Sequence, residues 1–237
     1  MIFNQFFDNT SCTYTYLISS GKGREALIID PVLEYTNHYI FFLKKLDLKL
    51  VKVIDTHIHA DHFSGLKELQ QQTDCAVLMG EKSRSEVVTI KIKDNEKIKI
   101  ENIELISMYT PGHTDCSYSL LMKDRIFTGD TLLINGTGRT DFQNGNPIDQ
   151  YHSLFNRILK LPEKTFVYPA HDYKGNKVST IGQQKQTNPR LQVKSAEQYA
   201  EIMNNLNLDN PKMMDVALPA NKKGLTIKEL NKFNKES

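Results

Sequence analysis

Residues 56–62 read Thr-His-Ile-His-Ala-Asp-His, so that three imidazole groups and one carboxylate fall within six residues. The first of these histidines, His57, directly follows Leu50–Thr56, a run that predicts a buried strand. Imidazole and carboxylate are the ligands that zinc, iron and manganese take, and a strand end can hold them at fixed geometry around an ion. A loop of solvated or capping polar residues does not require this density of donors. The stretch therefore predicts a metal centre that uses His57, His59, Asp61 and His62.

Three further donors follow predicted strands later in the chain. They are His113 in Pro-Gly-His-Thr, Asp130 in Phe-Thr-Gly-Asp-Thr and His171 in Tyr-Pro-Ala-His-Asp-Tyr. Taken singly, His113 fits an ordinary turn and Asp130 fits a helix cap. Five of the seven histidines belong to the combined set, and it is the ordered set that predicts a metal site built from several strand ends.

Short β-rich runs alternate with helical patterns, which indicates a mixed α/β fold. The predicted strands are Tyr14–Ser19, Ala26–Asp30, Leu50–Thr56, Glu104–Tyr109, Tyr118–Met122, Arg125–Thr128 and Thr165–Tyr168. The predicted helices are Tyr39–Leu46, Ser64–Gln72 and Asn146–Leu161, the last with asparagine at the cap and Pro147 at the first helical position. The run Ile90–Ile100 alternates isoleucine with lysine, which predicts a hairpin with one solvated face.

Length and composition favour a single domain over residues 1–237, with a C-terminal extension from about residue 176. Lysine and arginine total 30 against 28 acidic residues, and the net charge of +2 offers no basic field for nucleic acid or an anionic membrane. A small-molecule substrate fits this balance better. The three cysteines, Cys12, Cys75 and Cys116, form no C-x-x-C pair, which favours a reducing compartment and structural roles. The N-terminus MIFNQFF lacks the pattern of a secretory signal, so we expect a cytoplasmic protein.

The ordered donor set resembles the H-x-H-x-D-H…H…D…H pattern of the metallo-β-lactamase superfamily over roughly residues 12–175. The resemblance implies an αββα sandwich, with two β-sheets back to back, helices outside and the metal at the sheet edges. Within the superfamily the chain resembles the persulfide dioxygenases through Phe-Thr-Gly-Asp-Thr-Leu-Leu-Ile, Gly-Thr-Gly-Arg-Thr-Asp-Phe-Gln and Asn-Pro-Arg-Leu. Glyoxalase II shares the ligand pattern but typically reads His-Glu-Tyr where this chain has His171-Asp172-Tyr173. The lysine-rich tail after Asn221 departs from the dioxygenase pattern.

The persulfide dioxygenase resemblance implies one Fe(II) per chain, held by His57, His113 and Asp130. Two histidines and one carboxylate leave coordination positions open, as oxygen chemistry requires. The implied reaction is the oxidation of glutathione persulfide by O2 to sulfite and glutathione. Relatives of this family also lead us to expect a homodimer.

The same resemblance assigns outer roles to the remaining donors. His59, Asp61, His62 and His171 would be outer hydrogen-bonding groups of a dioxygenase, or second-metal ligands of a hydrolase. The resemblance gives glutathione contacts to Arg139, Tyr173 and Asn221, although Arg139 also fits a loop salt bridge. Two alternatives stay open: a dinuclear zinc hydrolase of glutathione thioesters similar to glyoxalase II, and a non-catalytic module that senses metal or persulfide.

Overall fold

The structure is a computed structural model that describes residues 1–209, 211 and 213–236. The chain divides into two compact units. Of the described residues, the first unit comprises 1–92, 99–104, 211 and 213–236, and the second comprises 93–98 and 105–209. The single-domain organisation expected from the sequence stays a prediction.

The described residues form strands and helices in alternation along most of the chain. The strands are β1 (Ile2–Asp8), β2 (Thr13–Ser19), β3 (Glu25–Ile29), β4 (Lys49–Ile54), β5 (Ala76–Gly80), β6 (Ile90–Ile92), β7 (Lys97–Ile100), β8 (Ile103–Tyr109), β9 (Tyr118–Leu121), β10 (Arg125–Gly129), β11 (Phe166–Pro169) and β12 (Ser179–Thr180). The α-helices are α1 (Thr36–Lys45), α2 (Leu66–Thr73), α3 (Pro147–Asn156), α4 (Ile181–Thr187), α5 (Ala196–Asn204), α6 (Met214–Lys223) and α7 (Ile227–Glu236). Short 3₁₀ helices occur at Leu33–Tyr35, Ile158–Lys160 and Pro189–Leu191. Among the described residues no helix is both long and apolar enough to cross a membrane.

The sheet of the first unit has the strand order β1-β2-β3-β4-β5-β6. Strands β3, β4, β5 and β6 are parallel to one another, and Ile29 pairs with Ile54. Because the carboxyl ends of parallel strands meet at one edge, the residues that follow β3 and β4 leave the sheet side by side. Asp30 follows β3, and the stretch from Asp55 to His62 follows β4.

The second sheet has the order β12-β11-β10-β9-β8-β7. Strand β9 is antiparallel to both β8 and β10, and β10 is parallel to β11. Strands β8, β10 and β11 therefore run in the same direction and end at the same edge of the sheet. His113, Asp130 and His171 follow these three ends, which explains how residues so far apart in sequence are brought together in the second unit.

The structure confirms the predicted start of helix α3, but the helix ends before the predicted Leu161. The side chain of Asn146 accepts hydrogen bonds from the backbone N–H groups of Ile148 and Asp149, as an N-cap should. The helix ends at Asn156 because Arg157 leaves the helical conformation, with φ −126° and ψ −71°. The Arg157 guanidinium instead donates to the backbone oxygen of Tyr109 at 2.6 Å.

The prediction of a hairpin over Ile90–Ile100 was wrong. Strand β6 pairs with β5 in the first sheet, whereas β7 lies beside β8 in the second sheet. The alternating pattern correctly indicated half-exposed strands, but alternation reports which face is buried and carries no information on the partner strand. The sequence analysis also missed β1, which pairs antiparallel with β2 from end to end.

The C-terminal helices α6 and α7 belong to the first unit. Their residues Ala217, Ala220 and Leu230 form a buried cluster with Leu33 and Phe63. Phe63 follows the histidine-rich stretch directly, so this cluster anchors the segment that carries the donors of the first unit.

Candidate metal centre

In the first unit, His57 is buried and its ring is oriented by the residue before it. The hydroxyl of Thr56 lies 3.0 Å from His57 Nδ1. Thr56 is in turn held by Asp30, whose Oδ1 accepts the backbone N–H at 2.7 Å and whose Oδ2 accepts the hydroxyl at 3.1 Å. A contact at Nδ1 directs Nε2 to the opposite side of the ring, which is the geometry of a histidine that binds a metal through Nε2.

Asp30 also fixes the neighbouring imidazole. His59 Nε2 lies 3.2 Å from Asp30 Oδ1, and both side chains are buried. Burial raises the pKa of Asp30 to about 6, while the charge of His57 and the Thr56 hydrogen bonds act in the opposite direction. Burial and the nearby Asp30 charge raise the pKa of Asp55 well above its usual range, although Ser64 Oγ donates to Asp55 Oδ2 at 2.6 Å.

The last two donors of this stretch contact each other. His62 Nδ1 lies 3.1 Å from Asp61 Oδ2 and 3.2 Å from the hydroxyl of Thr13. One ligand atom each of His59, Asp61 and His62 falls within a 4.8 Å cluster that could hold a metal ion. The ring centroid of His57 lies 4.2 Å from that of His59, so the four donors that the sequence analysis placed in this stretch do lie together.

Asn221, predicted as a glutathione contact, lies against the backbone of the donor stretch. Its side-chain nitrogen donates to the backbone oxygens of His59 at 2.9 Å and His62 at 2.8 Å. Its side-chain oxygen accepts the backbone N–H of Ser64 at 2.8 Å. One buried amide thus holds three points of the loop that carries the donors, and a direct contact with glutathione stays a prediction.

In the second unit, His113 and Asp130 face each other. His113 Nδ1 donates to the backbone oxygen of Arg139 at 2.7 Å, and a carbonyl can only accept, so Nδ1 carries the hydrogen. His113 Nε2 lies 3.6 Å from Asp130 Oδ2. Two ligands about 2.1 Å from one ion stand about 3.0 Å apart at an octahedral angle and about 3.4 Å apart at a tetrahedral angle, so a small closure would let this pair share a metal ion.

His171 contacts the same carboxylate. Its Nδ1 donates to Asp130 Oδ1 at 2.7 Å, and the ring is buried. The ring of Tyr173 stacks parallel to it at 6.2 Å, and Tyr173 is 70% exposed. The second unit therefore holds one carboxylate between two imidazoles, with an exposed phenol beside them.

The close approach of the loop at Gly138 to Asp130 and His113 requires glycine, because no space is left for a side chain. A Cβ atom at this position would lie 2.3 Å from the backbone oxygen of Asp130 and 2.8 Å from His113 Nδ1. The Gly138 N–H itself donates to the Asp130 backbone oxygen at 2.7 Å. The loop after β10 therefore folds back onto both donors.

The Arg139 side chain forms the loop salt bridge considered in the sequence analysis. It donates to both oxygens of Asp141 at 2.6 Å and to the backbone oxygen of Asp209 at 2.6 Å, with its guanidinium 4.6 Å from the centre of the Phe142 ring. The Arg139 hydrogen bonds hold the pKa of Asp141 below its usual range. A contact of Arg139 with glutathione stays a prediction.

Sequence reasoning missed Asp30 and Thr13 as partners of the donors. The sequence does indicate that Asp30 lies near a sheet edge, because Asp30 is the last residue of a predicted strand and His57 follows another predicted strand. The parallel pairing that joins these two strand ends became apparent only from the structure. Nothing in the sequence marks Thr13.

Comparison with known proteins identifies similar chains. The family model described as the metallo-beta-lactamase superfamily matches residues 13–89 and 81–171. The mitochondrial persulfide dioxygenase ETHE1 of Mus musculus is 40% identical over 224 residues, which cover 93% of this chain and 87% of the relative. The crystal structure of ETHE1 from Myxococcus xanthus superposes with a TM-score of 0.91 and 44% identity, covering 94% of this chain and 98% of that one. A hydroxyacylglutathione hydrolase of Dictyostelium discoideum is 35% identical over 68% of this chain and 62% of its own length. The mouse relative is named mitochondrial, and the cytoplasmic location expected here stays a prediction.

Proposed function

We propose that this chain, which belongs to the metallo-β-lactamase superfamily and within it to the persulfide dioxygenases, uses one ferrous ion to oxidise glutathione persulfide. The predicted α/β metallo-β-lactamase fold is confirmed by the family model and by the superposed structure. In the proposed reaction, glutathione persulfide, O2 and water give glutathione, sulfite and two protons. The outer sulfur gives up four electrons, and O2 accepts them.

The observation that carries the proposal is the similarity to persulfide dioxygenases along nearly the whole chain, which includes both donor-bearing units. The hydroxyacylglutathione hydrolase relatives are less similar than the persulfide dioxygenases in sequence identity and in the share of the chain that they cover. The contacts of His171 agree with this choice, because its Nδ1 binds the Asp130 carboxylate as an outer hydrogen-bonding group would.

We propose His57, His113 and Asp130 as the iron ligands. The donor chemistry fits, since two imidazoles and one carboxylate suit ferrous iron and leave positions for further ligands. When bound there, ferrous iron supplies the ability to bind both O2 and a sulfur ligand and to transfer electrons between them. The metal-binding character is shared with the superfamily, and iron as the particular metal is part of the proposal.

The chain's own residues prepare this site before substrate arrives. Thr56 orients the His57 ring, the Arg139 carbonyl sets the tautomer of His113, and His171 holds one oxygen of Asp130. Fixed ligands reduce the reorganisation that the reaction would otherwise require.

For the substrate we propose contacts with Tyr173 and Arg139. Tyr173 is an exposed residue whose hydroxyl can donate to a peptide carbonyl of glutathione, and the Arg139 guanidinium suits a carboxylate. Among the described residues, the hydrogen bonds of the Asn221 side chain end on His59, His62 and Ser64, so we propose that Asn221 holds this loop, and its contact with glutathione stays a prediction. A homodimer stays a prediction.

The second candidate is a dinuclear zinc hydrolase of glutathione thioesters. The observation that favours it is the cluster of His59, Asp61 and His62, whose ligand atoms lie within 4.8 Å of one another. In that enzyme His171 would bind metal instead of supporting Asp130.

The test is to purify the protein, count metal ions per chain by elemental analysis and follow O2 uptake with glutathione persulfide, beside a His113→Ala control. One iron per chain, O2 uptake and sulfite release, all lost in the control, are expected. Two zinc ions per chain, no O2 uptake and rapid cleavage of a glutathione thioester would replace the proposal with the hydrolase. A protein without turnover on either substrate would revive the non-catalytic sensing module.

A further inference from the structure

Helix α3 supports the loop that precedes His113. Its buried residues include Gln150 and Ser153, which lie one turn apart on the same face. Ser153 Oγ donates to the backbone oxygen of Pro111 at 2.6 Å. Gly112, with φ +137°, packs so closely on the helix that an added Cβ would lie 2.2 Å from Gln150 Cβ. The backbone just before His113 therefore rests directly on Gln150.

The same glutamine also reaches the loop that binds the His113 ring. Gln150 Nε2 donates to the backbone oxygen of Gly138 at 3.1 Å. The next backbone oxygen along the chain, that of Arg139, accepts from His113 Nδ1 at 2.7 Å. Gln150 thus contacts both segments that determine where the His113 ring lies: the segment that carries it and the segment that bonds its nitrogen.

Tyr199 on helix α5 orients the Gln150 amide. Both side chains are fully buried, and the Tyr199 hydroxyl lies 2.8 Å from Gln150 Oε1 and 2.9 Å from Thr137 Oγ1. An amide oxygen can only accept, so the Tyr199 hydroxyl donates to Oε1, which leaves Nε2 directed at Gly138. Burial raises the pKa of Tyr199, so this donor keeps its proton at neutral pH.

We propose that Gln150, oriented by Tyr199, is a positioning residue that sets the His113 ring and thereby the strength with which the site retains iron. The inference rests on the proposed function through the assignment of His113 as an iron ligand. Outer partners that orient a metal-bound histidine commonly change metal affinity by about 10- to 100-fold. Because Gln150 acts on the loop rather than on the ring itself, we expect the lower end of that range.

The ordinary alternative is that Gln150 is only a satisfied polar residue in the core. Gln184 offers a matched control for that alternative. It is equally buried and lies in the same unit. Its Oε1 accepts from the backbone N–H of Asn135 at 2.8 Å and from Asn188 Nδ2 at 2.9 Å, and its Nε2 donates to Ser179 Oγ at 2.7 Å. Among the described residues, the Gln184 side chain makes no hydrogen bond to Gly138, Arg139 or His113, so a purely structural effect should be similar for the two glutamines.

The experiment compares Gln150→Leu, Tyr199→Phe, the double variant and Gln184→Leu with the wild type. Each protein is loaded with ferrous iron without oxygen. We then measure the rate of iron transfer to a chelator, the electron paramagnetic resonance spectrum after nitric oxide is added, and the Tm of the metal-free protein.

We expect about tenfold faster iron loss and a changed spectrum for Gln150→Leu, and a smaller effect in the same direction for Tyr199→Phe. The double variant should accelerate iron loss by less than the product of the two single effects, because Tyr199 acts on the loop mainly through Gln150. Gln184→Leu should lower the Tm and leave both iron measurements unchanged.

A folded Gln150→Leu protein with the wild-type rate and spectrum would overturn the inference, as would an equal acceleration in Gln184→Leu. If Gln150→Leu does not fold, Tyr199→Phe keeps the ring volume, and a wild-type rate in that variant has the same meaning. A wild type that retains no iron contradicts the proposed function instead. The rate of zinc loss from the same variants then tests the inference, with the same ranking expected.

Discussion

His171 Nδ1 donates to Asp130 Oδ1 across 2.7 Å, so a buried imidazole holds one oxygen of the carboxylate that faces His113. The other oxygen, Oδ2, lies 3.6 Å from His113 Nε2. A carboxylate fixed at one oxygen presents the other in a constant direction, which is the role of an outer hydrogen-bonding partner at a metal centre.

Replacement of His171 by alanine should therefore weaken metal binding without removing a metal ligand. We expect His171→Ala to bind iron about tenfold more weakly, while a sample saturated with iron keeps a large share of its O2 uptake per iron. Iron per chain after dialysis against a graded chelator series measures this. A wild type with two metals per chain and a variant with one would identify His171 as a ligand and support the hydrolase.

Asn221→Ala should destabilise the first unit. The change leaves the backbone groups of His59, His62 and Ser64 without their buried partner, and such groups cost about 1–3 kcal/mol each when they stay unbonded. Because the loop around these groups can relax in part, we expect a loss of about 2–4 kcal/mol in the free energy of unfolding. Urea unfolding of the metal-free protein measures this loss.

The control for that measurement is Asn205→Ala. Asn205 is exposed, and within the described part of the chain its side chain donates only to the backbone oxygen of Glu201, one helical turn earlier. A change within about 0.5 kcal/mol is expected there. Equal losses in the two variants would contradict the anchoring role of Asn221.

Asp141→Asn should improve the binding of glutathione persulfide if Arg139 contacts the substrate. The Asp141 carboxylate accepts two hydrogen bonds from Arg139 and competes with a substrate carboxylate for them. Exposed ion pairs are worth about 0.2–1 kcal/mol, so we expect KM to fall about two- to fivefold with kcat unchanged. Arg139→Lys should raise KM, because lysine lacks the planar pair of donors. An unchanged KM in both variants, with a lowered Tm, would restrict Arg139 to holding its loop.

Asp8 should make part of the stability of the first unit dependent on pH. Burial raises the pKa of Asp8, but hydrogen bonds from Ser11 and Thr10 outweigh it, and the pKa lies below its usual range. A carboxyl group whose pKa is lower in the folded protein stabilises the fold at pH values above its unfolded pKa of about 4. This contribution is lost as the pH falls through the folded pKa. Asp8→Asn should therefore be less stable than the wild type near neutral pH, and the difference should shrink below about pH 4. Urea unfolding over that range checks this, and a difference independent of pH would contradict it.

The sequence by itself determined the identity and order of the donors. A strand pattern is local, and the residues after it necessarily leave the sheet at its end, so His57, His113, Asp130 and His171 could be predicted as a set. The resemblance of the surrounding motifs then indicated the family, which the comparisons confirm. Helix α3 was predictable at its start for the same local reason, since Asn146 and Pro147 act within one turn.

The tertiary structure decided which partner each of these groups contacts. Asn221 reaches Ser64 across 157 positions of sequence, and Gln150 supports His113 through the Gly138 loop. The strands over Ile90–Ile100 belong to different sheets although their pattern resembles a hairpin. Side-chain periodicity reports burial, whereas a hydrogen bond depends on the relative positions of two backbones that only packing brings together. The donors are therefore encoded locally, and the residues that orient them depend on how the chain folds around them.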